Sequence, residues 1–268
     1  MALVWPSAQH IYLSPHLDDV ILSCGGIIYQ QACRGETVAV ITVFAGSPPD
    51  QSRLSPFARA LHARWQHSAP HGLDFSDPPA VRREEDRRAF TILNPSIQVI
   101  HYPLPDCIYR LEPKTGRLLY PNEASLFGQV SPSDPALLEL ESVPPLPSDA
   151  MLYIPLAAGR HVDHQIVRRA GEGWKLEQGQ VRYYEDYPYV TQLGQLEKAL
   201  ERPEEWEACV FPLSKDALRA KIEAVTAYAS QISTFWQSVE AMAGALRSYC
   251  EHTGGERLWL RCVQNARH

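Results

Sequence analysis

The sequence predicts an α/β fold in which a mostly parallel sheet carries helices on both faces. Short apolar runs alternate with longer segments of helical periodicity, a pattern typical of parallel strands joined by crossover helices. The most informative run, residues 37–44, is β-branched and almost wholly apolar, as expected for a central strand buried on both faces. The 268 residues, 45% hydrophobic and 21% charged, have the composition of a globular protein, so we expect a single domain over residues 1–268.

Seven segments have the character of strands. The five stronger ones span residues 10–14, 37–44, 97–102, 151–155 and 181–184, and the two weaker ones span residues 207–211 and 257–262. Segments with helical spacing of apolar residues span residues 19–34, 55–67, 81–93, 161–174 and 214–230. The first helix contains Gly25 and Gly26, which permit close approach to a sheet but lack the G-x-G-x-x-G spacing of a dinucleotide site. The last helix has Ser214 as a favourable N-cap, and the order of elements predicts a Rossmann-like arrangement.

The alternation stops over residues 106–149, which contain seven prolines. Loops of this length are usually functional, so we expect a surface excursion that serves as a lid or a subunit contact, and a homo-oligomer is possible. A shorter patch rich in Pro, Gly, Ser and His covers residues 68–79.

Charge and cysteine usage narrow the class of protein. The net charge of −6 argues against nucleic-acid binding, which usually needs a basic face. The six cysteines are scattered without a C-x-x-C pair, so free thiols are expected. The first residues do not have the pattern of a secretory signal peptide. No apolar run approaches the ~20 residues that a membrane-spanning helix needs. A cytoplasmic enzyme is expected, and without a G-x-S-x-G elbow it is not a serine hydrolase.

The first chemically informative motif is His16-Leu17-Asp18-Asp19, directly after the strand at residues 10–14. Two adjacent carboxylates are unfavourable unless a cation offsets them, and a divalent metal is the simplest one. Sites in open α/β sheets form at the carboxyl ends of strands, which is where this motif stands. His16 and Asp19 can converge on one point, which leaves Asp18 free to act on a water molecule. Alternatively, Asp18 or Asp19 is only the N-cap of the following helix.

The second motif contains His161 and His164 and follows the strand at residues 151–155. The two imidazoles are three residues apart, so on a helix they share a face, and imidazole is a common zinc ligand. Two histidines and one carboxylate, with a position left open for water, form a catalytic zinc site, although Fe²⁺ suits the same ligands. In such a site an adjacent carboxylate takes the water proton and an unligated histidine stabilises the oxyanion, which suits hydrolysis of an amide or ester. The alternative is a pair of surface histidines near a helix start.

The two motifs resemble those of the PIG-L/LmbE-like zinc N-acetylglucosaminyl deacetylases. The family's (P/A)-H-P-D-D motif stands here as residues 15–19, and its H-x-D-H or H-x-x-H motif stands as residues 161–164. The resemblance implies three zinc ligands, which are His16, Asp19 and His164. It also implies that Asp18 is the general base and that His161 stabilises the oxyanion and protonates the leaving amine.

Weaker similarities extend the resemblance to residue 231. Residues 82–85 resemble part of the family's R-x-x-E-x-x-x-A helix, which implies Arg82 as a sugar-binding residue, with Arg83 as the competing candidate. Residues 228–231 resemble the end of the family's late Ser-Gln helix.

Other positions bear on the substrate. Asp106 resembles the family's strand-end carboxylate that contacts sugar hydroxyls, although it also suits the start of a turn. Leu17 and Val20 stand where the family usually has Pro and Glu, and the second change removes a charge near the site.

These observations predict a zinc-dependent hydrolase that removes the acetyl group from an N-acetylglucosamine-type sugar or its conjugate. The first alternative is an amidohydrolase that acts on another N-acyl natural product. The second is a metal-binding family member without turnover.

Overall fold

The computed structural model describes residues 4–69, 74–141, 144–174 and 179–262. Within these residues seven strands form one sheet, in the spatial order β3-β2-β1-β4-β5-β7-β6. The strands are β1 (His10–Ser14), β2 (Val38–Thr42), β3 (Gln98–His101), β4 (Met151–Pro155), β5 (Val181–Tyr184), β6 (Trp206–Phe211) and β7 (Glu256–Arg261). The strands from β3 to β5 are parallel, whereas β7 pairs antiparallel with both β5 and β6. The predicted mostly parallel α/β sheet is confirmed.

Ten α-helices connect and cover the strands in the described part of the chain. They are α1 (Asp19–Cys33), α2 (Pro56–Ser68), α3 (Pro78–Leu93), α4 (Glu123–Leu126), α5 (Pro135–Glu139), α6 (Val162–Gly173), α7 (Gln195–Leu200), α8 (Lys215–Val225), α9 (Ala229–Phe235) and α10 (Val239–Thr253). None of the helices in the described ranges has the length and apolar character needed to cross a membrane.

The alternating side chains of the strands supply two apolar cores. Tyr12 and Val40 face one core together with residues of α1, α3, α8 and α10. Ile11, Leu13 and Ile41 face the other core together with residues of α5, α6 and α7. This alternation follows from the period of two along a strand, and it places helices on both faces of the sheet.

The register of the sheet determines where the two sequence motifs meet. β1 pairs in parallel with β2 on one side and with β4 on the other, so the chain reverses its order of strands between β1 and β4. Crevices at such a switch point, outside the carboxyl ends of the strands, are where α/β folds bind ligands. The segments that follow Ser14 and Pro155 therefore converge at one edge of the sheet.

The predicted helix over residues 214–230 is wrong as a single helix. It is divided into α8 and α9, because the chain turns at residues 226–228 toward α3. Tyr228 donates its hydroxyl to Asp86 at 2.6 Å, and the backbone N–H of Ser230 donates to Glu85 at 2.8 Å. These contacts fix a new helix start that local helical periodicity does not reveal. They also join the two weaker sequence similarities, which lie on α3 and at the start of α9.

Residues 106–149 are described except for 142 and 143, and they pack against the body of the protein. The segment contains a 3-10 turn (Cys107–Tyr109), α4 and α5, and its Ile108 and Tyr120 form an apolar cluster with Trp65. The predicted excursion therefore packs against α2 through this cluster, and its role as a lid or a subunit contact stays a prediction. The patch at residues 68–79 lies partly outside the described residues.

Candidate metal centre

The first motif lies in the turn between β1 and α1. Ser14 braces the turn, because its hydroxyl donates to the carbonyl of His16 at 2.6 Å and accepts the N–H of Val20 at 3.2 Å. Asp18 occupies the N-cap position, but its side chain forms no capping hydrogen bond, and its φ of 128° lies in a region that L-residues rarely adopt. Asp18 therefore stands at the N-cap position, but its side chain does not cap the helix as the N-cap alternative predicted. Strain of this kind is often found at functional sites.

The second motif lies between β4 and α6 and contacts the first. His161 is the N-cap of α6 and His164 lies in its first turn, and their ring centroids are 5.3 Å apart, so the two imidazoles lie side by side as their spacing predicted. Nε2 of His164 lies 3.2 Å from Oδ2 of Asp19, and Nδ1 of His16 lies 3.2 Å from the same oxygen. Nitrogen atoms of His16, His161 and His164 all lie within 4.8 Å of one another.

The geometry around Asp19 fits a divalent metal ion. Nε2 of His164 is buried and makes no hydrogen bond with the described residues, although Asp19 is at ion-pair distance. Two ligand atoms of a tetrahedral zinc ion, with bonds of ~2.1 Å, lie about 3.4 Å apart. The distances of 3.2 Å from Oδ2 of Asp19 to Nδ1 of His16 and to Nε2 of His164 are close to this separation, and the same oxygen also accepts the backbone N–H of His16 at 2.8 Å. These three residues are therefore suited to hold the ion.

Each of the two imidazoles has a carboxylate on its outer side. Nε2 of His16 lies 2.9 Å from Oδ2 of Asp163, and Nδ1 of His164 lies 2.6 Å from Oδ1 of Asp186. Such carboxylates fix the orientation and tautomer of metal-binding imidazoles and raise their basicity. No role was predicted for Asp163 or Asp186 from the sequence. The position of Asp186 just after β5, beside the strand that carries the second motif, is the signal that was missed.

Asp163 is itself held by a buried arginine from the segment that follows β3. The guanidinium of Arg110 donates to both Asp163 and Asp134, and the Cys107 N–H donates to Asp163 at 3.0 Å. Burial alone would raise the pKa of Asp163, but the charge of Arg110 outweighs it and holds that pKa below its usual range. Asp163 therefore remains an anion beside His16.

Asp18 and Arg82 lie together on the other side of the centre. Burial, reinforced by the neighbouring charge of Asp19, raises the pKa of Asp18 to about 8 in the metal-free protein. A cation held by Asp19 would favour the ionised form of Asp18. Nη2 of Arg82 lies 4.0 Å from Oδ1 of Asp18, and its guanidinium stacks on Trp65 at 4.7 Å. Arg83 instead donates to the carbonyl of Ala45 at 2.7 Å, so Arg82 is the arginine that faces the centre.

His161 is a neutral donor in this arrangement. Its Nδ1 accepts the N–H of Asp163 at 3.3 Å, so the proton of the neutral ring lies on Nε2. Burial, together with the charge on His16, lowers the pKa of His161 well below its usual value. Oδ1 of Asp106 caps the turn by accepting the Ile108 N–H at 3.2 Å, and Oδ2 lies 3.8 Å from Nε2 of His16. The contact of Asp106 with sugar hydroxyls stays a prediction.

The sheet topology and the two strand-end motifs define the class of α/β de-N-acetylases. Residues 11–174 match the family model described as PIG-L, GlcNAc-PI de-N-acetylase, and the chain belongs to this family.

Several known proteins of similar sequence or structure are deacetylases. The 2'-N-acetylparomamine deacetylase of Niallia circulans is 32% identical over 189 residues, which cover 68% of each chain. The zinc-inhibited form of teicoplanin deacetylase is 27% identical with a TM-score of 0.70, over 96% of this chain and 99% of the other. The A40926 pseudoaglycone deacetylase is 26% identical with a TM-score of 0.64, over 97% of this chain and 100% of the other. The predicted family, fold class and deacetylase activity are confirmed.

Proposed function

We propose that the protein removes the acetyl group from an N-acetylated amino sugar of the N-acetylglucosamine type, or from a conjugate of such a sugar. In this proposal His16, Asp19 and His164 hold Zn²⁺, and Fe²⁺ is the alternative metal. The observation that carries the proposal is that one carboxylate oxygen of Asp19 lies 3.2 Å from a nitrogen of each histidine. Similarity to the 2'-N-acetylparomamine deacetylase supports the substrate class, since that protein acts on an N-acetylated amino sugar.

Each residue around the centre has a separate role in amide hydrolysis. A bound zinc ion would supply Lewis-acid polarisation of the amide carbonyl and would make a water molecule more acidic. Asp18, next to the ligand Asp19 in sequence, accepts the proton of the attacking water. His161 donates from Nε2 to the carbonyl oxygen as negative charge develops there. The water oxygen bonds to the carbonyl carbon, the C–N bond breaks, and the proton that Asp18 accepted passes to the leaving amine, so that acetate and a free amino group result.

Two further residues complete the proposed site. Asp106 accepts hydrogen bonds from sugar hydroxyls through the oxygen that is not used in the turn. Arg82, stacked on Trp65, keeps a positive charge near Asp18 and is the proposed second contact to the sugar. The cytoplasmic location stays a prediction.

The experiment that tests the proposal compares two variants in two assays. Asp18→Asn should keep bound zinc and lose about 10²–10⁴-fold in acetate release, because it removes the proton acceptor alone. His164→Ala should lose both zinc and activity. Metal content is measured on the purified protein, and acetate release is measured on a panel of N-acetyl sugars and simple N-acyl amides. Full activity of Asp18→Asn would exclude Asp18 as the base.

The same panel separates the alternatives. Acetate or acyl release only from amides that are not sugars would favour the amidohydrolase of another natural product. One zinc ion per chain with no hydrolysis of any compound would favour a metal-binding protein without turnover.

A further inference from the structure

A cleft with a volume of about 590 Å³ opens beside His161, and Phe57, Phe127, Tyr189 and Phe235 form an aromatic wall in it. The ring of Phe127 lies 5.4 Å from the ring of His161, and the ring of Tyr189 lies 5.8 Å from the ring of His164. Phe57, which also lines the cleft, is only partly buried, and Phe127 is 37% exposed. Large aromatic side chains left accessible beside a reactive centre are typical of a binding surface.

The aromatic wall continues beyond this first cleft. The ring of Tyr189 lies 5.9 Å from that of Phe235, which lies 5.4 Å from that of Trp236. Trp236 lines a second cleft of about 720 Å³, and both clefts share Gln192, Thr234 and Phe235. The two clefts together extend outward from His161 and are larger than one sugar ring needs. They offer room for the group to which the sugar is attached.

Charge is distributed unevenly around the first cleft. Its lining includes three cations, Arg64, Arg160 and Lys198, but only one carboxylate, Glu123. None of the three cations forms an ion pair with a carboxylate of the described ranges. The whole chain has a net charge of −6, so a local excess of positive charge does not follow from composition. An unpaired cation beside an aromatic wall attracts an anionic group on an apolar ligand.

The backbone holds one of these cations next to the site. Arg160 directly precedes His161 and has a φ of 60°, in the turn where its N–H donates to the carbonyl of Ala157 at 3.1 Å. Arg160 and Lys198 also line an adjacent cleft of about 410 Å³, in which five cations outnumber the two carboxylates of Glu172 and Glu201. The positive surface thus begins one residue from the proposed oxyanion donor and extends outward.

We propose that the aromatic cleft binds the aglycone of the substrate and selects one with an aromatic or apolar body that carries a negative charge. Ligands with several positively charged amino groups are disfavoured by the same cations. The inference rests on the proposed function, since it takes the centre at Asp19 as the place where the sugar amide is cleaved.

The test measures binding and hydrolysis separately. Three aryl β-D-glucosides without an acetamido group are titrated into the metal-loaded protein by calorimetry, so that nothing is cleaved. Their aryl groups are carboxyphenyl, phenyl and trimethylammoniophenyl. The carboxyphenyl glucoside should bind about three- to tenfold more tightly than the phenyl glucoside, and the cationic one should bind most weakly. The differences should shrink at 1 M salt, where the Debye length is about 3 Å.

Two double variants test whether the cations of the cleft cause the preference for the anionic aryl group. Arg160→Ala/Lys198→Ala should remove most of the preference for the anionic aryl group and leave binding of the phenyl glucoside nearly unchanged. Lys215→Ala/Arg247→Ala also removes two positive charges, but from exposed positions outside both clefts. This variant should keep the preference for the anionic aryl group. The inference would be overturned if the cationic glucoside bound as tightly as the anionic one or more tightly. It would also be overturned if the order of affinities were unchanged in Arg160→Ala/Lys198→Ala, or if none of the glucosides bound.

Hydrolysis of the matching aryl N-acetylglucosaminides separates the two proposals. If the binding order holds but no acetate is released from any of them, the cleft inference stands and the proposed function fails. If acetate is released but the binding order is absent, the proposed function stands and the cleft inference fails.

Discussion

Nδ1 of His164 lies 2.6 Å from Oδ1 of Asp186, on the side of the ring opposite Asp19. The second oxygen of Asp186 accepts the backbone N–H of Ala158 at 2.8 Å. One buried carboxylate therefore orients a proposed metal ligand and also fastens the loop that carries the second motif. This double contact ties the geometry of the centre to the end of β5.

Asp186→Asn should weaken zinc binding by about 10–100-fold, because the imidazole of His164 loses the anion that fixes its tautomer and raises its basicity. The amide is nearly isosteric with the carboxylate, so the fold should persist. Zinc affinity is measured by competition with a chromogenic chelator. Glu185→Gln is the matched control, since Glu185 binds Arg257 and Trp259, away from the centre. Equal zinc affinity in Asp186→Asn and the wild type would contradict the assigned contact.

Arg110→Ala should destabilise the protein by about 3–5 kcal/mol, because it leaves Asp163 and Asp134 buried without their cation. Arg110→Lys should restore only part of the stability, since an ammonium group cannot replace the planar fork between two carboxylates. The free energy of unfolding is measured by urea titration. Arg117→Ala, an exposed arginine of the same segment, should change it by less than about 0.5 kcal/mol. A similar small effect of Arg110→Ala would show that the buried pairs contribute little.

The two motifs were predictable because each is local in sequence and stands at the end of a strand. Spacing alone related His16 to Asp19, and the parallel register brought His164 to the same carboxylate. The partners that orient the ligands were not predictable in this way. Asp163 reaches His16 across 147 residues, and Arg110 reaches Asp163 across 53. Such pairings depend on how loops fold over the sheet edge, which no periodicity encodes.

The helical elements show the same limit. Apolar periodicity located α1, α2, α3 and α6 within a few residues, but it continued through the break between α8 and α9. That break is imposed by hydrogen bonds to Glu85 and Asp86 on α3, so the local pattern is overridden by tertiary contacts. The same pattern did not predict α10, whose buried face is narrow, with only Met242, Ala243, Leu246 and Cys250 buried.

Lys221→Met should destabilise the protein by about 3–5 kcal/mol without changing zinc affinity. Lys221 and Glu256 are fully buried, with Nζ 2.6 Å from Oε1, and loss of the cation leaves the carboxylate unpaired. Glu256 also accepts the backbone N–H groups of Gly26 and Ile27 at 3.0 and 2.7 Å, so α1 is affected. Urea unfolding measures the loss. Lys215→Met, at an exposed site on the same helix, is the control. A loss below about 1 kcal/mol would mean that the pair is nearly neutral to stability.

Gly159→Ala should disturb the wall of the aromatic cleft. Gly35→Ala is the control that separates this effect from the strain of the backbone. Gly159 has a φ of 83°, and a Cβ atom there would lie 2.7 Å from Cβ of Tyr189. Gly35 has a φ of 82°, but nothing lies within 4 Å of the equivalent position. Gly35→Ala therefore measures the backbone cost alone, about 1–2 kcal/mol. Gly159→Ala adds a clash that requires Tyr189 or its loop to move.

The two glycine variants are compared by urea unfolding and by titration of the phenyl glucoside. Gly159→Ala should lose more stability than Gly35→Ala and should bind the glucoside less tightly, because Tyr189 forms the wall between His164 and Phe235. Gly35→Ala should bind it like the wild type. Equal losses of stability, together with unchanged binding in Gly159→Ala, would mean that the loop yields freely. Tyr189 would then not be held in position by the close approach of Gly159.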